Sequence, residues 1–330
     1  MRKILTLLII YASSINAGEY AGSFLELGVG AKALGMGSAS VAIADDAYGW
    51  YWNPSGLAFI ESFQAASMYA NMFDQQQNQS FVSAAMPIFG GVTISASWMR
   101  LSVDDIPRYP GFNPDDDRVN GDQFDQLIGE PTGYFSAASD AFVFSFAKYK
   151  QVLVDLGWQY FELPIDFGFG GNIKVIRESI DTNSGNGIGV DLGMIIKLGL
   201  NDVFNDENYG KLVFGINAQD LFETKLTWDT ASKRTDVISR NFKYGFAIIQ
   251  PLDFVSSQFT FAFDLDSRYE GASHFGAELL YDQLLALRVG LNESNFTAGM
   301  GLYIWKLRTD IAYQSHDLGN TYRISLLFQL

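Results

Sequence analysis

The sequence predicts an all-β fold: a transmembrane β-barrel of the bacterial outer-membrane type, with about 14 antiparallel strands and a small N-terminal plug or hatch segment containing short helices. Three observations predict it. Hydrophobic residues make up 48% and aromatics 15% of the 330 residues, against 18% charged, yet every apolar run after the first is soon broken by Gly, Asp, Asn or Lys. From about residue 63 onward, apolar side chains alternate with small or polar ones. The chain also begins with an export signal.

That signal is Arg2 and Lys3, then the apolar run from Ile4 to Ala12, then Ser13, Ser14, Ile15, Asn16 and Ala17 before Gly18. A positive start, a short apolar core and small residues at the end describe a secretory signal peptide, here 1–17. The apolar run falls short of the ~18–20 residues that a spanning helix needs. The expected product is therefore exported, and an outer-membrane location follows if the remainder closes into a barrel.

Composition removes other classes. A formal charge of −15, a sequence pI near 4.4 and no basic run make a poor partner for nucleic acid, whose phosphates need clustered Lys and Arg. With no Cys there is no disulfide, thiolate metal site or Cys nucleophile. His274 and His316 are the only histidines, and neither lies in a Ser or Glu constellation, so no catalytic residue, cofactor or metal is expected.

Period-two alternation places successive side chains on opposite faces of a strand. Phe259, Phe261, Phe263 and Leu265 share one parity, and Thr260, Ala262, Asp264 and Asp266 the other. Phe142, Phe144 and Phe146 alternate with Ala141, Val143, Ser145 and Ala147, and Ile165, Phe167, Phe169, Ile173 and Val175 with Asp166, Gly168, Gly170, Asn172 and Lys174. One face is rich in Phe, while the other mixes Gly, Ala, Ser, Asn and isolated charges. That is a lipid face and a narrow polar lumen. Trp158, Tyr160, Tyr269, Tyr281, Tyr303, Trp305 and Tyr313 stand near strand ends, where interfacial girdles belong.

Strand candidates are 63–73, 78–89, 90–103, 141–150, 152–161, 165–177, 187–199, 208–220, 240–250, 256–267, 272–282, 284–293, 295–305, 307–315 and 320–330. A single-chain barrel has an even number, so the weakest, 152–161, is set aside. At the C-terminus, Tyr322, Ile324, Leu326, Phe328 and Leu330 alternate with Arg323, Ser325, Leu327 and Gln329. This resembles the terminal signal read by the barrel assembly machinery, although it ends on Leu rather than an aromatic.

The connections 104–140, 200–208 and 221–239 are long and polar, and long connections are expected outside the cell. The first carries Asp104, Asp105, Asp115, Asp116, Asp117, Asp122 and Asp125. Counted from Asp116, Arg118 puts a cation where a Ca²⁺ loop needs an oxygen ligand, so the expectation is a solvated acidic loop. Lys174, Asp264, Asp266, Glu278, Arg288, Arg308, Asp310 and Arg323 all have lumen parity. Glu278 with Arg288 and Asp310 with Arg323 are candidate pairs across neighbouring strands. Such charges either pin the plug or form a constriction for a permeating solute.

Residues 18–62 are different in kind. Gly28, Gly30, Gly35 and Gly37 punctuate an Ala-rich run, Asp45 and Asp46 follow, and then Asn53, Pro54, Ser55, Gly56 and Leu57. The glycine spacing fits neither the dinucleotide nor the phosphate-loop pattern. Asn53 and Pro54 suit an N-cap and first helical position for a short helix through Phe59.

The glycine-rich run, Ala44-Asp45-Asp46-Ala47 and Asn53-Pro54-Ser55-Gly56-Leu57, in this order after a signal peptide, resemble the PorV/PorQ family of bacterial outer-membrane proteins. That family is related to FadL-type transporters of long-chain fatty acids. The resemblance covers 24–58 in detail and the remainder in strand pattern. It implies a fourteen-stranded barrel, residues 63–330, with a lumenal hatch, 18–62, around Asn53, Pro54 and Gly56. It also implies a part in type IX secretion, receiving secreted cargo with a C-terminal sorting domain beside a secretion translocon. The alternative is FadL-like transport of hydrophobic small molecules. An inward face of Gly, Ala, Ser and charge does not favour a greasy pocket, so secretion is the leading expectation.

Overall fold

The computed structural model describes residues 21–72, 77–109, 131–155, 157, 162–268, 272–315 and 319–330. The signal peptide, Trp158, Tyr160, Tyr269, His316 and the Asp115–Asp125 cluster lie outside the described residues. Among the described residues no helix is long and apolar enough to cross a membrane.

One antiparallel sheet runs through β1 (Gln64–Met72), β2 (Gln77–Ile88), β3 (Val92–Arg108), β4 (Gly133–Asp155), β5 (Glu162–Ile180), β6 (Asn183–Gly199), β7 (Lys211–Gln219), β8 (Thr224–Trp228), β9 (Thr235–Ile238), β10 (Asn241–Leu252), β11 (Ser257–Asp266), β12 (Ala272–Tyr281), β13 (Leu285–Asn292), β14 (Asn295–Ile304), β15 (Leu307–Gln314) and β16 (Thr321–Gln329). β8 and β9 form a hairpin joined to the start of β6. The other fourteen of the 16 strands close on themselves, β1 pairing with β16 from Gln64↔Gln329 to Asn71↔Tyr322. Closure leaves no sheet edge, the condition for backbone polar groups to survive in hydrocarbon.

The parity of the sequence is the parity of the wall. Phe142, Phe144 and Phe146 point outward and are exposed, while Ala141, Val143, Ser145 and Ala147 between them are buried. Outward Ile173, Val175, Leu287, Val289, Ile311 and Ile324 continue the apolar belt. An unbroken belt of this kind is a lipid-facing surface, since water would penalise it around the whole circumference. The chain is a transmembrane barrel. Tyr322, Ile324, Leu326 and Leu330 of the terminal signal belong to this outer face, with Phe328 at Ala65 of β1.

The start of β1 and the end of β16 share one end of the barrel. The connections 89–91, 200–210, 253–256, 282–284 and 305–306 lie at that end, and the end of β3, the start of β4, and the connections 220–240 and 293–294 at the other. By the short-turn rule the first end is periplasmic. The polar segment 200–208 was expected with the extracellular loops and lies instead at the periplasmic end. Its length comes from a short helix, Leu200–Phe204, inserted in a strand connection. A second correction concerns 104–140. β3 continues to Arg108 and β4 begins at Gly133, past a register shift between Val103 and Ile106. The 103–108 and 133–137 arms stand above their neighbours, where both faces are solvated and no alternation marks a strand. Of the span 152–161, residues 152–155 are the end of β4.

The lumen is filled by residues 21–62: a 3₁₀ turn (Ser23–Glu26), short helices at Ala31–Gly35 and Gly49–Trp52, and a 3₁₀ helix at Pro54–Phe59. The wall receives this segment on glycines that are partners across neighbouring strands. Gly170 lies opposite Gly193, Gly215 opposite Gly245, and Gly276 opposite Gly290. Each pair removes two adjacent side chains and lets hatch backbone lie against wall backbone. The first faces Asn53 and Pro54, the second Val41 and Ala42, the third Met36 and Gly37. A Cβ on Gly170 would stand 2.5 Å from Pro54 C, whereas one on Gly133 would meet nothing.

Gly170→Leu should therefore displace the 3₁₀ helix and cost about 1–3 kcal/mol, while Gly133→Leu should be neutral. Heat-modifiable migration in detergent gels over a temperature series reads both; equal behaviour of the two variants would contradict this packing.

Candidate functional site: the hatch and the lumen around it

Local structure positions the hatch residues. Gly28, Gly30 and Gly37 have φ of 76°, 80° and 64°, a region open to Gly and strained for other residues. Gly35 lies backbone to backbone with Gly299, and Gly56 packs on the carbonyl of Ala44. Asn53 caps the 3₁₀ helix: its Oδ1 accepts from Ser55 N at 3.2 Å and from Ser55 Oγ at 2.6 Å, and Pro54 takes the first position, where no N–H is needed. The Asn53 amide then donates to Val41 O at 2.9 Å, tying two segments of the hatch together.

The wall grips the hatch mainly through amides. Asn172 donates to Trp50 O and Asn217 to Trp52 O, both at 2.8 Å, and Gln79 to Gly28 O at 2.9 Å. All three wall residues are buried. Each satisfies a carbonyl that a short, irregular segment leaves free of regular structure. These were not singled out from sequence as hatch contacts, although the alternation of β5 already put Asn172 on the inward face. Asp264 does the converse, accepting from Ser40 N at 2.6 Å and Val41 N at 2.8 Å.

The inward charges form two networks. Lys174 bridges Asp191 at 2.7 Å and Asp220 at 2.9 Å. Glu278, Arg288, Asp310, Arg308 and hatch Asp46 form a chain with links of 2.5, 2.7, 2.8 and 2.6 Å. Lys243 pairs with Asp266 at 2.9 Å. Glu278 and Arg288 are direct register partners. The proposed Asp310–Arg323 pair does not form. Asp310 opposes Ser325, two residues from Arg323, and both its oxygens are taken by Arg288 and Arg308. Arg323 reaches Gln314 at 3.2 Å and the Met72 sulfur at 3.4 Å.

Within the hatch, Lys32 stands 3.6 Å from Asp45. Burial works against both charges. The attraction of Asp45 nevertheless holds the Lys32 ammonium above its ordinary range, and Lys32, with Lys197 and Arg308, holds the Asp45 carboxyl below its own. Lys197 also lies 3.7 Å over the Phe59 ring, a cation–π contact at the periplasmic end.

At the extracellular end the β8–β9 hairpin turns inward. The chain between β7 and β8 has positive φ at Asp220 and Glu223, and this break carries Leu226, Trp228 and Ile238 over the lumen, where they are buried against the hatch. Ile238 packs on Gly22. Arg268 fastens the same corner, donating to Glu26 at 2.6 Å and to Ser239 O at 3.0 Å.

The spaces left beside the hatch mix polar and aromatic lining. Above the hatch lies a cavity of about 190 Å³ lined by Trp50, Tyr51 and Trp52 together with Lys243, Arg268 and His274. Beside it, one of about 250 Å³ is bounded by Ser38, Asn292, Gln314, Thr321 and Arg323. On the periplasmic side, about 510 Å³ opens among Asp45, Asp46, Glu61, Trp305, Lys306 and Arg308. Among the described residues no cluster of His, Asp or Glu has the geometry of a metal site.

No protein-family model matches the sequence, and no curated protein does. Among solved structures the chain is similar to the toluene transporter TbuX of Ralstonia pickettii, with 10% identity, 92% of this chain and 97% of that one covered, and a TM-score of 0.49. It is similar to the KdgM porin, with 7% identity, 82% and 99% covered, and a TM-score of 0.32. CdiB from Acinetobacter baumannii follows, with 10% identity, 82% and 60% covered, and a TM-score of 0.38. Identities of this size carry no activity from one chain to another.

Removing Arg308 takes the counter-charge from Asp46, whose other oxygen still accepts from Tyr48 N, and leaves one oxygen of Asp310 without its donor. Arg308→Met should cost about 3–5 kcal/mol, and Asp46→Asn in the same chain should recover part of it. Denaturant unfolding of the folded barrel in detergent measures both; strict additivity would show that the two side chains do not interact.

Proposed function

We propose that this protein is a plugged outer-membrane barrel that acts through its extracellular face as a component of protein export, in the manner of the PorV/PorQ family. Its partners would be secreted cargo bearing a C-terminal sorting domain, and a secretion translocon. The carrying observation is the way the hatch is held. Hatch backbone lies on three glycine pairs, buried amides take its carbonyls, and Asp46 is locked into the Arg308 ion pair. A lumen occupied in this way leaves the outer loops as the working surface. The projecting β3–β4 arms and the inturned β8–β9 hairpin supply a shaped platform on that face. Association there requires no catalytic group, and the protein is read as a non-enzyme. Biogenesis would run through the barrel assembly machinery acting on the terminal strand.

A second reading, uptake of hydrophobic small molecules, is favoured by one feature. Trp50, Tyr51 and Trp52 line the cavity above the hatch, as a first binding stage would require. The polar remainder of that cavity argues against it.

Two measurements separate the readings. Affinity purification of the tagged protein from detergent-solubilised outer membranes should recover exported proteins sharing a C-terminal β-domain, or a large translocon barrel. Planar-bilayer recordings of the intact protein should show no steady conductance. Co-purified lipid without protein partners would support uptake instead, and a constant open conductance would contradict the plugged lumen.

A further inference from the structure

Of the cations buried in the lumen wall, Lys174, Arg288 and Arg308 each hold a carboxylate within 2.5–2.8 Å. Arg323 is the exception. It is 4% exposed, yet among the described residues no carboxylate pairs with it. Its guanidinium bonds one amide oxygen and one thioether, and its Nε–H has no acceptor. A guanidinium taken out of water is costly unless a counter-charge and hydrogen bonds replace its hydration. Beside it on β16, Thr321 is also 4% exposed and its hydroxyl has no partner. Both line the cavity of about 250 Å³, whose wall also carries the amides of Gln314, Asn292 and Asn295.

We propose that this cavity is a binding site for a small carboxylate. Arg323 would supply the charge and a forked pair of N–H donors matched to two carboxylate oxygens, and the Thr321 hydroxyl a further donor. The cavity selects charge as well as shape. Glu26 and Glu293 also line it; Glu26 is already held by Arg268, so a single negative charge is neutralised by Arg323 while a second would face the Glu293 carboxylate. Its volume leaves room for a carboxyl group on a short organic chain. Glu26, Ser38, Asn292 and Glu293 also line the cavity above the hatch, so the two spaces adjoin and the ligand would enter from the extracellular side.

Equilibrium dialysis of radiolabelled acetate against the full chain in detergent micelles tests this. The intact protein should show one saturable site. Arg323→Met should weaken it at least about tenfold, Thr321→Val about threefold, and inorganic phosphate should compete at least about tenfold less well than unlabelled acetate. Heat-modifiable migration verifies the fold of each variant. If Arg323→Met does not fold, Thr321→Val and the phosphate competition decide. Absence of saturable acetate binding, full binding by a folded Arg323→Met, or phosphate displacing acetate as well as acetate itself would overturn the proposal.

Discussion

The structure depends on backbone lying against backbone inside the barrel. Fourteen strands enclose more space than inward Ala and Ser can fill, so either water or chain must occupy it. Here it is chain. Irregular chain can fill a lumen only where its carbonyls and N–H groups find partners and where the wall withdraws its side chains. The three register-matched glycine pairs do the second, and Asn172, Asn217, Gln79 and Asp264 do the first. These residues have a shared logic that no single strand displays. A glycine inside one strand weakens it, but two glycines facing one another on adjacent strands make a groove with the width of a polypeptide backbone.

The ion pairs follow from this filling. Once the hatch excludes water, any inward charge must find a protein partner, and the networks obey a simple geometry. Glu278 and Arg288 meet because they are direct register partners, whereas Arg288, Asp310 and Arg308 meet through the length of the arginine side chains. Asp46 enters the same chain from the hatch and couples plug position to wall charge. Such a network contributes specificity more than net stability, since desolvation cancels much of the Coulomb gain. Its effect is to fix the hatch in one register, where apolar contacts alone would tolerate sliding.

Much of this was legible in the chain. Alternation gave fifteen strand candidates, one more than the barrel holds, and the inward face of Lys174, Glu278, Arg288 and Asp310, because a residue's parity is local information. The inward Asp191 and Lys243 were not among the residues it named. The Asn53–Pro54 start of the 3₁₀ helix was legible for the same reason. What parity cannot give is register. Asp310 and Arg323 share a face and lie on adjacent strands, but a two-residue offset and competition from Arg288 and Arg308 separate them. Nor does loop length give sidedness. The 200–210 connection is long because it holds a helical turn, and only counting strands assigns it to the periplasmic end. The extensions of β3 and β4 beyond the bilayer were hidden because a ribbon solvated on both faces needs no alternation.

The hatch also decides which functions are physically accessible. For a solute to cross, Asp46 must leave Arg308, several buried amides must lose their acceptors, and backbone must lift from the glycine pairs. Each loss exposes a polar group in a confined, low-dielectric space, where an unmade hydrogen bond costs more than it would in water. No one of these contacts is prohibitive, but they are spread along the whole hatch and around most of the wall, so they would have to fail together. A partner bound at the extracellular rim meets no such barrier. The β8–β9 hairpin is its natural point of leverage, because it touches the outer surface with one face and the beginning of the hatch, through Ile238 on Gly22, with the other. At the same corner Arg268 holds both Glu26 of the hatch and Ser239 beside the hairpin, so hatch and hairpin are tied by a polar contact as well as an apolar one.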